Sequence, residues 1–491
     1  MSKKVIVIGS GFSSLAAASS LAQKGYNVTI LEKNNQCGGR ARQFKSDGFT
    51  FDMGPSWYWM PDVFENYFKR FGKKPEDYYK LLRLDPSYRV FWGEKDFTDL
   101  PANQNELYSL FEAKEKNGAK KLDAFLKEAA YKYEVGINDL VYKPGRSLFE
   151  FADWRVISGI FRLQLFQSLS KHVRKYFKND RLIRLLEFPV LFLGAKPNDT
   201  PALYSLMNYA DMKLGTWYPH EGMHKIIDGM VAVAKDQGVK IILNQEVKKI
   251  NTQGNKAVSV STNTDTFIAD AIVSGADYNH TDKQLLSKEH QNYSKNYWQK
   301  RKMAPSSLIF YLGINKKLQN LQHHNLFFDE DFTLHAEEIY DYPKWPSKPL
   351  FYVCAPSITD NTVAPKGKEN LFILMPAAPD LEDKDEVRDR YYELIMDRLE
   401  KLTEQEIKPH VIYKRAYAHN DFIADYHAFK GNAYGLANTL KQTAILKPSL
   451  RNKKLKNVFY TGQLTTPGPG VPPSLISGQV VANELEKSIP S

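Results

Sequence analysis

Four residues near the start of the chain have types and spacing suited to holding a nucleotide: Gly9, Gly11, Ser14 and Glu32. Gly9 permits a tight turn after the apolar run Val5 to Ile8, and Gly11 lets backbone approach a pyrophosphate. Ser14 stands where a third glycine is usual, and its small side chain still allows a helix to pack closely on its strand. The start of that helix offers unpaired N–H groups and a partial positive charge to a phosphate. Glu32 closes a second apolar run, Val28 to Leu31, 21 residues after Gly11. Its carboxylate is placed to accept from a ribose diol and to repel the 2′-phosphate of NADP. Positioning these groups takes a strand, a glycine turn, a helix and a second strand, which is the dinucleotide-binding βαβ unit. A similar turn without a ligand is the alternative.

Further along, Cys37-Gly38-Gly39-Arg40-Ala41-Arg42 and Asp52-Met53-Gly54-Pro55-Ser56 follow the acid. This combination resembles the FAD-binding opening segment of the amine-oxidase and phytoene-desaturase superfamily. The resemblance implies that Gly38, Gly39 and Arg40 lie along the cofactor diphosphate, and that Gly54, Pro55 and Ser56 come near the flavin ring. At the other end, Val458 to Gly462 reads as a buried strand ending in glycine. The segment Gln463 to Pro473 follows, and a helix is predicted from Ser474 to Leu485. That stretch is similar to the carboxy-terminal FAD motif of bacterial-type carotenoid desaturases, which brings Gly462, Gly470 and Val471 to the cofactor. Gln463 replaces the acid found there in many FAD enzymes and leaves the ribityl contact open. Between the ends, Trp217-Tyr218-Pro219-His220-Glu221-Gly222-Met223 precedes a predicted helix from Lys225 to Gln237. By resemblance, Val247 touches the adenine through its backbone, and Glu221 stands where the family usually has glycine.

The fold class expected is therefore α/β: a Rossmann-like FAD-binding domain with an α+β substrate domain, antiparallel sheet plus helices, inserted in several segments. Residues 1–75, 220–285 and 445–491 are assigned to the FAD-binding domain, and 76–145 with 286–444 to the substrate domain. Residues 146–219 are read as a helical, membrane-associating region. There, Ile157, Ile160, Phe161, Leu165 and Leu169 follow helical spacing, and Lys171, Arg174, Lys175, Lys178, Arg181 and Arg184 are opposed in sequence by Asp180 alone. A helix lying on the protein's own core with a solvated charged face is the competing reading.

Composition narrows the function classes. Lys+Arg 67 against Asp+Glu 56 leaves a surplus of +11, yet no basic tail, zinc-finger spacing or RNA-binding aromatic motif accompanies it, so nucleic acid is not an expected partner. No apolar run reaches the roughly 18 residues of a membrane span, and no signal-peptide pattern opens the chain. A cytoplasmic protein on the membrane periphery is expected. Two cysteines, Cys37 and Cys354, build no disulfide framework. His323 and His324 are adjacent, an arrangement that on a strand turns the rings apart, so no metal site is expected.

The closest resemblance is to bacterial phytoene desaturases of the flavobacterial type, through Gly54-Pro55-Ser56-Trp57-Tyr58-Trp59-Met60-Pro61 and Pro467-Gly468-Pro469-Gly470-Val471-Pro472-Pro473. It implies an FAD-dependent oxidoreductase of carotenoid biosynthesis that acts on CH–CH bonds, converting phytoene to lycopene, with a hydrophobic carotenoid substrate and quinone or oxygen as electron acceptor. A 1-hydroxycarotenoid 3,4-desaturase, a flavin amine oxidase and a non-enzymatic lipid-binding protein of the same fold are the alternatives. Asp153 and Arg155, an acid and a guanidinium amid apolar residues, are the candidates for assisting proton transfer. A helix cap or surface ion pair is the other reading of the two.

Overall fold

The computed structural model describes residues 2–145, 163–164, 167–439, 442–443 and 446–491. Five strands form a parallel sheet: β1 (Lys4–Ile8), β2 (Asn27–Leu31), β3 (Lys240–Ile242), β4 (Ala271–Ser274) and β5 (Val458–Tyr460), in the order β5-β4-β1-β2-β3. Val5 sits in register with both Val28 and Ala271, and all four residues of β4 are buried. Strands covered on both faces need side chains that are apolar throughout, which is why β1 and β4 show no polar alternation. Helix α1 (Phe12–Gln23) returns the chain from β1 to β2. Helix α2 (Val471–Ser488) packs across it, and Gly478 makes the crossing possible: a Cβ there would lie 2.1 Å from the Ser13 carbonyl oxygen. The second helix starts three residues before the predicted Ser474, because Pro472 and Pro473 are accommodated in a first turn that needs no intrahelical N–H donor.

A second sheet carries seven strands, in the spatial order Val411–Tyr417, Ser306–Ile314, Glu369–Ala377, Phe351–Cys354, His324–Phe327, Tyr88–Gly93 and Asp96–Leu100. The expected sheet is antiparallel, and one pair departs from this: His324–Phe327 runs parallel to Tyr88–Gly93, which comes from a distant part of the sequence. Alternation along Ser306–Ile314 divides two environments. Leu308, Phe310 and Leu312 pack with Tyr391, Ile395 and Leu399 of the helix Asp385–Thr403, whereas Ile309 and Tyr311 belong to the core that continues into the nucleotide side.

The described part of the basic stretch is held by the protein itself. Ser168 and Asn179 cap the helices Leu169–Tyr176 and Asp180–Glu187, whose residues Leu169, Val173, Leu182, Leu185 and Leu186 are buried. The sequence count of Asp180 as sole opposing acid is corrected: Arg184 pairs with Asp180, but Arg174 pairs with Glu187 and Arg181 with Asp96. Ile157, Ile160, Phe161 and Leu165 lie outside the described residues. Among the described residues, no helix is long and apolar enough to cross a membrane.

Candidate active site

The chain runs from β1 to β2 on one side of the parallel sheet and later adds β4 on the other. The crevice outside the carboxyl ends of such strands is where ligands bind in open α/β sheets. It opens here into a cavity of about 440 Å³. One side is built of backbone, from Gly9, Gly11, Gly38, Gly39, Gly462 and Gly470. Across from it stand side chains of the second sheet and its helices, among them Phe188, Ile309, Phe332, Tyr340, Tyr352 and Leu374.

Two helix starts border the backbone side. Gly11 caps the start of α1 and Gly470 that of α2, neither helix having a side-chain cap or an acid in its first turn, so their first N–H groups are left to a ligand. A Cβ on Gly11 would meet no protein atom within 4 Å, which shows that this position faces open cavity. Arg40 reaches the same place. Its Nη2 donates to the Asn432 carbonyl (3.3 Å), while its Nε is buried with no partner. Burial pulls the Arg40 pKa down, and Asp277 opposes the shift. A desolvated guanidinium with an open donor beside two uncapped helix starts is the donor set a diphosphate requires, and the residues present fit FAD.

Gly54 is dictated by packing rather than by backbone angle: a Cβ would stand 2.6 Å from the Arg40 carbonyl oxygen. Pro55, Ser56, Val247 and Val471 also line the cavity. Two of the expected residues stand apart from the rest. Ser14 does not reach the cavity; its Oγ lies 2.0 Å from where Gly275 would carry a Cβ, so it works behind the turn, packing α1 on β4. Glu32 does line the cavity, but its carboxylate is already engaged. Oε2 accepts from Ser10 N (2.8 Å) and Ser10 Oγ (2.7 Å), and Oε1 accepts from Asn34 N (2.9 Å) and Asn34 Nδ2 (3.0 Å). A ribose diol must displace or share one of these bonds. Asp153 and Arg155 lie outside the described residues.

The stretches Leu308 to Gly313 and Leu350 to Val353 read from the sequence as antiparallel strands lining a cavity, and Ile309 and Tyr352 do line it, while their neighbours on the paired strand carry no mark in the sequence. Ser307 and Ile309 pair with Pro376 and Leu374 on the antiparallel neighbour, and all four line the cavity. Their signal is the two-residue alternation of each strand, which points to a cavity only once the pairing is known. At the junction of the two sides, Tyr352 Oη donates to Ser56 Oγ (3.0 Å). Near Glu246, His280 stacks on His427 at 3.9 Å, and burial followed by His427 pushes His280 down to about 3. The adjacent histidines also differ from expectation. His323 precedes the strand that His324 opens, strand alternation does not separate them, and their ring centroids are 4.5 Å apart.

Residues 12–485 match the family described as flavin-containing amine oxidoreductase. The chain is 39% identical over 486 residues to the "Carotenoid 3,4-desaturase" of Haloarcula japonica, covering 99% of this chain and 98% of that protein. It is 30% identical to the "zeta-carotene-forming phytoene desaturase" of Myxococcus xanthus, covering 98% and 94%. A crystal structure of an oxidoreductase from Methanosarcina mazei superposes with a TM-score of 0.62 at 17% identity, covering 98% of this chain and all of that one (100%).

Proposed function

The chain belongs to the flavin-containing amine oxidoreductase family, and from that premise we propose that it is an FAD-dependent carotenoid desaturase. The observation that carries this reading is the continuity of one cavity from the diphosphate cradle into a chamber walled by aliphatic and aromatic side chains. A hydrocarbon offers no polar handle for covalent catalysis. Apolar burial is the means of binding it, and the wall of Phe188, Ile309, Phe332 and Leu374 supplies that.

When bound, FAD supplies the redox step by accepting a hydride from an sp³ carbon beside the polyene. The protein's own work is to orient, dry and deprotonate. Trp57 and Trp59, ring centroids 5.1 Å apart, and Tyr352 wall the chamber where the Gly54 to Ser56 segment meets it. The hydroxyl pair Ser56 and Tyr352 is the polar contact at that junction, and the proton lost by the neighbouring carbon is assigned to the Asp153 carboxylate as acceptor. Arg155 remains a proposed assistant in that proton transfer.

Conversion of phytoene to lycopene is the first substrate reading. The second, 3,4-desaturation of an already conjugated carotenoid, is favoured by the higher identity to the Haloarcula japonica protein. Incubating the FAD-loaded protein with vesicles carrying either phytoene or a 1-hydroxycarotenoid, followed by pigment analysis, separates them. New chromophore from phytoene supports the first and from the hydroxylated substrate alone the second; from neither, desaturation falls. Access to such substrates is proposed to occur at a membrane surface, with Lys171, Lys175 and Lys178 exposed, and with quinone or oxygen as acceptor.

A further inference from the structure

Behind the cavity wall lies a cluster that desaturation does not use. His324 opens the strand His324–Phe327 and stands directly across from Cys354 on the antiparallel strand Phe351–Cys354. His323 folds onto the same side. One ligand atom from each of His323, His324 and Cys354 can be chosen so that all lie within 4.8 Å of one another, and all three residues are buried.

The hydrogen bonding singles out one nitrogen on each ring. Tyr352 spends its proton on Ser56, so its oxygen accepts from His324 Nδ1–H at 2.6 Å, which leaves the lone pair on His324 Nε2. His323 Nδ1 lies 2.9 Å from Thr359 Oγ1. Both Nε2 atoms are buried without a partner. Unpaired buried nitrogens are costly, whereas an imidazole with Nδ1 held by an oxygen and Nε2 open is the arrangement that metal-binding histidines use. Ring orientation is also fixed: His324 stacks on Trp57 at 4.0 Å and 10°, and His323 lies 4.6 Å from the Tyr218 ring. On the far side of Cys354 from the histidines, a cavity of about 20 Å³ gives the thiolate side chain room to adjust.

We propose that His323, His324 and Cys354 form a structural site for a zinc-class divalent cation, which ties the two strands together behind Trp57 and Tyr352. Two imidazoles and one thiolate suit Zn²⁺ and exclude the hard, oxygen-preferring cations. Binding releases the Cys354 thiol proton to solvent and involves no redox change. Ligand atoms around a tetrahedral ion stand roughly 3.5 Å apart, so the side chains close inward when the ion enters.

The FAD-loaded protein, stripped with a chelator and titrated with Co²⁺, reads this directly. One equivalent should bind, giving ligand-field bands at wavelengths beyond flavin absorption that Zn²⁺ then removes. The bands should persist in Cys37→Ser and vanish in Cys354→Ser, and His324→Gln should weaken Co²⁺ affinity by at least about 10-fold. Absence of bands in the wild type, or their survival in Cys354→Ser, overturns the site. If Cys354→Ser does not fold, X-ray absorption of the zinc-loaded wild type decides: one sulfur and two nitrogens are expected, and a shell without sulfur refutes the assignment.

Discussion

The two sides of the cavity recognise their ligands by different means. The nucleotide side presents backbone N–H groups at two helix starts, with glycines wherever a side chain would intrude. Opposite it, side chains from paired strands make an apolar wall. Backbone recognition is all-or-none, because one added side chain moves the donor set away from its ligand. Wall recognition is graded, since neighbouring side chains share the contact. Substitutions on the two sides should therefore fail differently.

The largest effect is expected at Gly11. Its backbone is extended at φ −72° and ψ 178°, and no protein atom lies near a Cβ, so Gly11→Val should fold normally while filling the diphosphate approach. Loss of bound flavin with an unchanged melting curve is the expected outcome; normal flavin content in the purified variant would break the comparison at its strongest point.

The polar support behind the wall should show itself through pH. Asp211 is buried, with Tyr88 Oη donating at 2.9 Å and Thr216 Oγ1 at 3.1 Å, while Trp59 of the wall donates to Thr216 Oγ1 at 2.8 Å. Burial pushes Asp211 up to about 7, against the donors Tyr88 and Thr216 and the Arg83 charge. A carboxyl whose folded pKa lies above its unfolded one stabilises fully below the unfolded value, 3.8 here, and loses that contribution as pH rises through about 7. The shift corresponds to on the order of 4 kcal/mol. Denaturant melts at about pH 5 and about pH 8 should show wild type losing stability relative to Asp211→Asn, which carries no charge to bury. Parallel curves would mean that Asp211 ionises without cost.

The apolar wall should give the smaller, graded response. Ile309→Trp fills the chamber beside its strand partner Leu374 and should lower turnover about 10²-fold with flavin content unchanged, because displacing substrate by an ångström is enough to cost that much. Loss of flavin in this variant would show that the two sides are not separable.

The same contrast explains what the sequence made legible. Gly9, Gly11, Gly38, Gly39 and Arg40 are near neighbours in the chain, and the turns they make are local, so their spacing carried the cradle. The partners Ser307 with Pro376 and Ile309 with Leu374 are joined by strand register, and Tyr352 reaches Ser56 across the fold; no local pattern encodes such pairings. Ser14 was legible as a packing residue from its place in the fingerprint, and its Oγ stands against the Gly275 backbone position; only its inclusion among the cavity-lining residues goes too far. The histidine pair was read as divergent because both residues were put on one strand, which in fact begins at His324.

The central claim is that hydrogen leaves the carotenoid directly onto the protein's flavin. Oxidised, FAD-loaded protein mixed without oxygen or any other acceptor with substrate-bearing vesicles should lose flavin absorbance in step with the appearance of the longer polyene, one flavin bleached per double bond introduced. Formation of the coloured polyene while the flavin stays oxidised would contradict it.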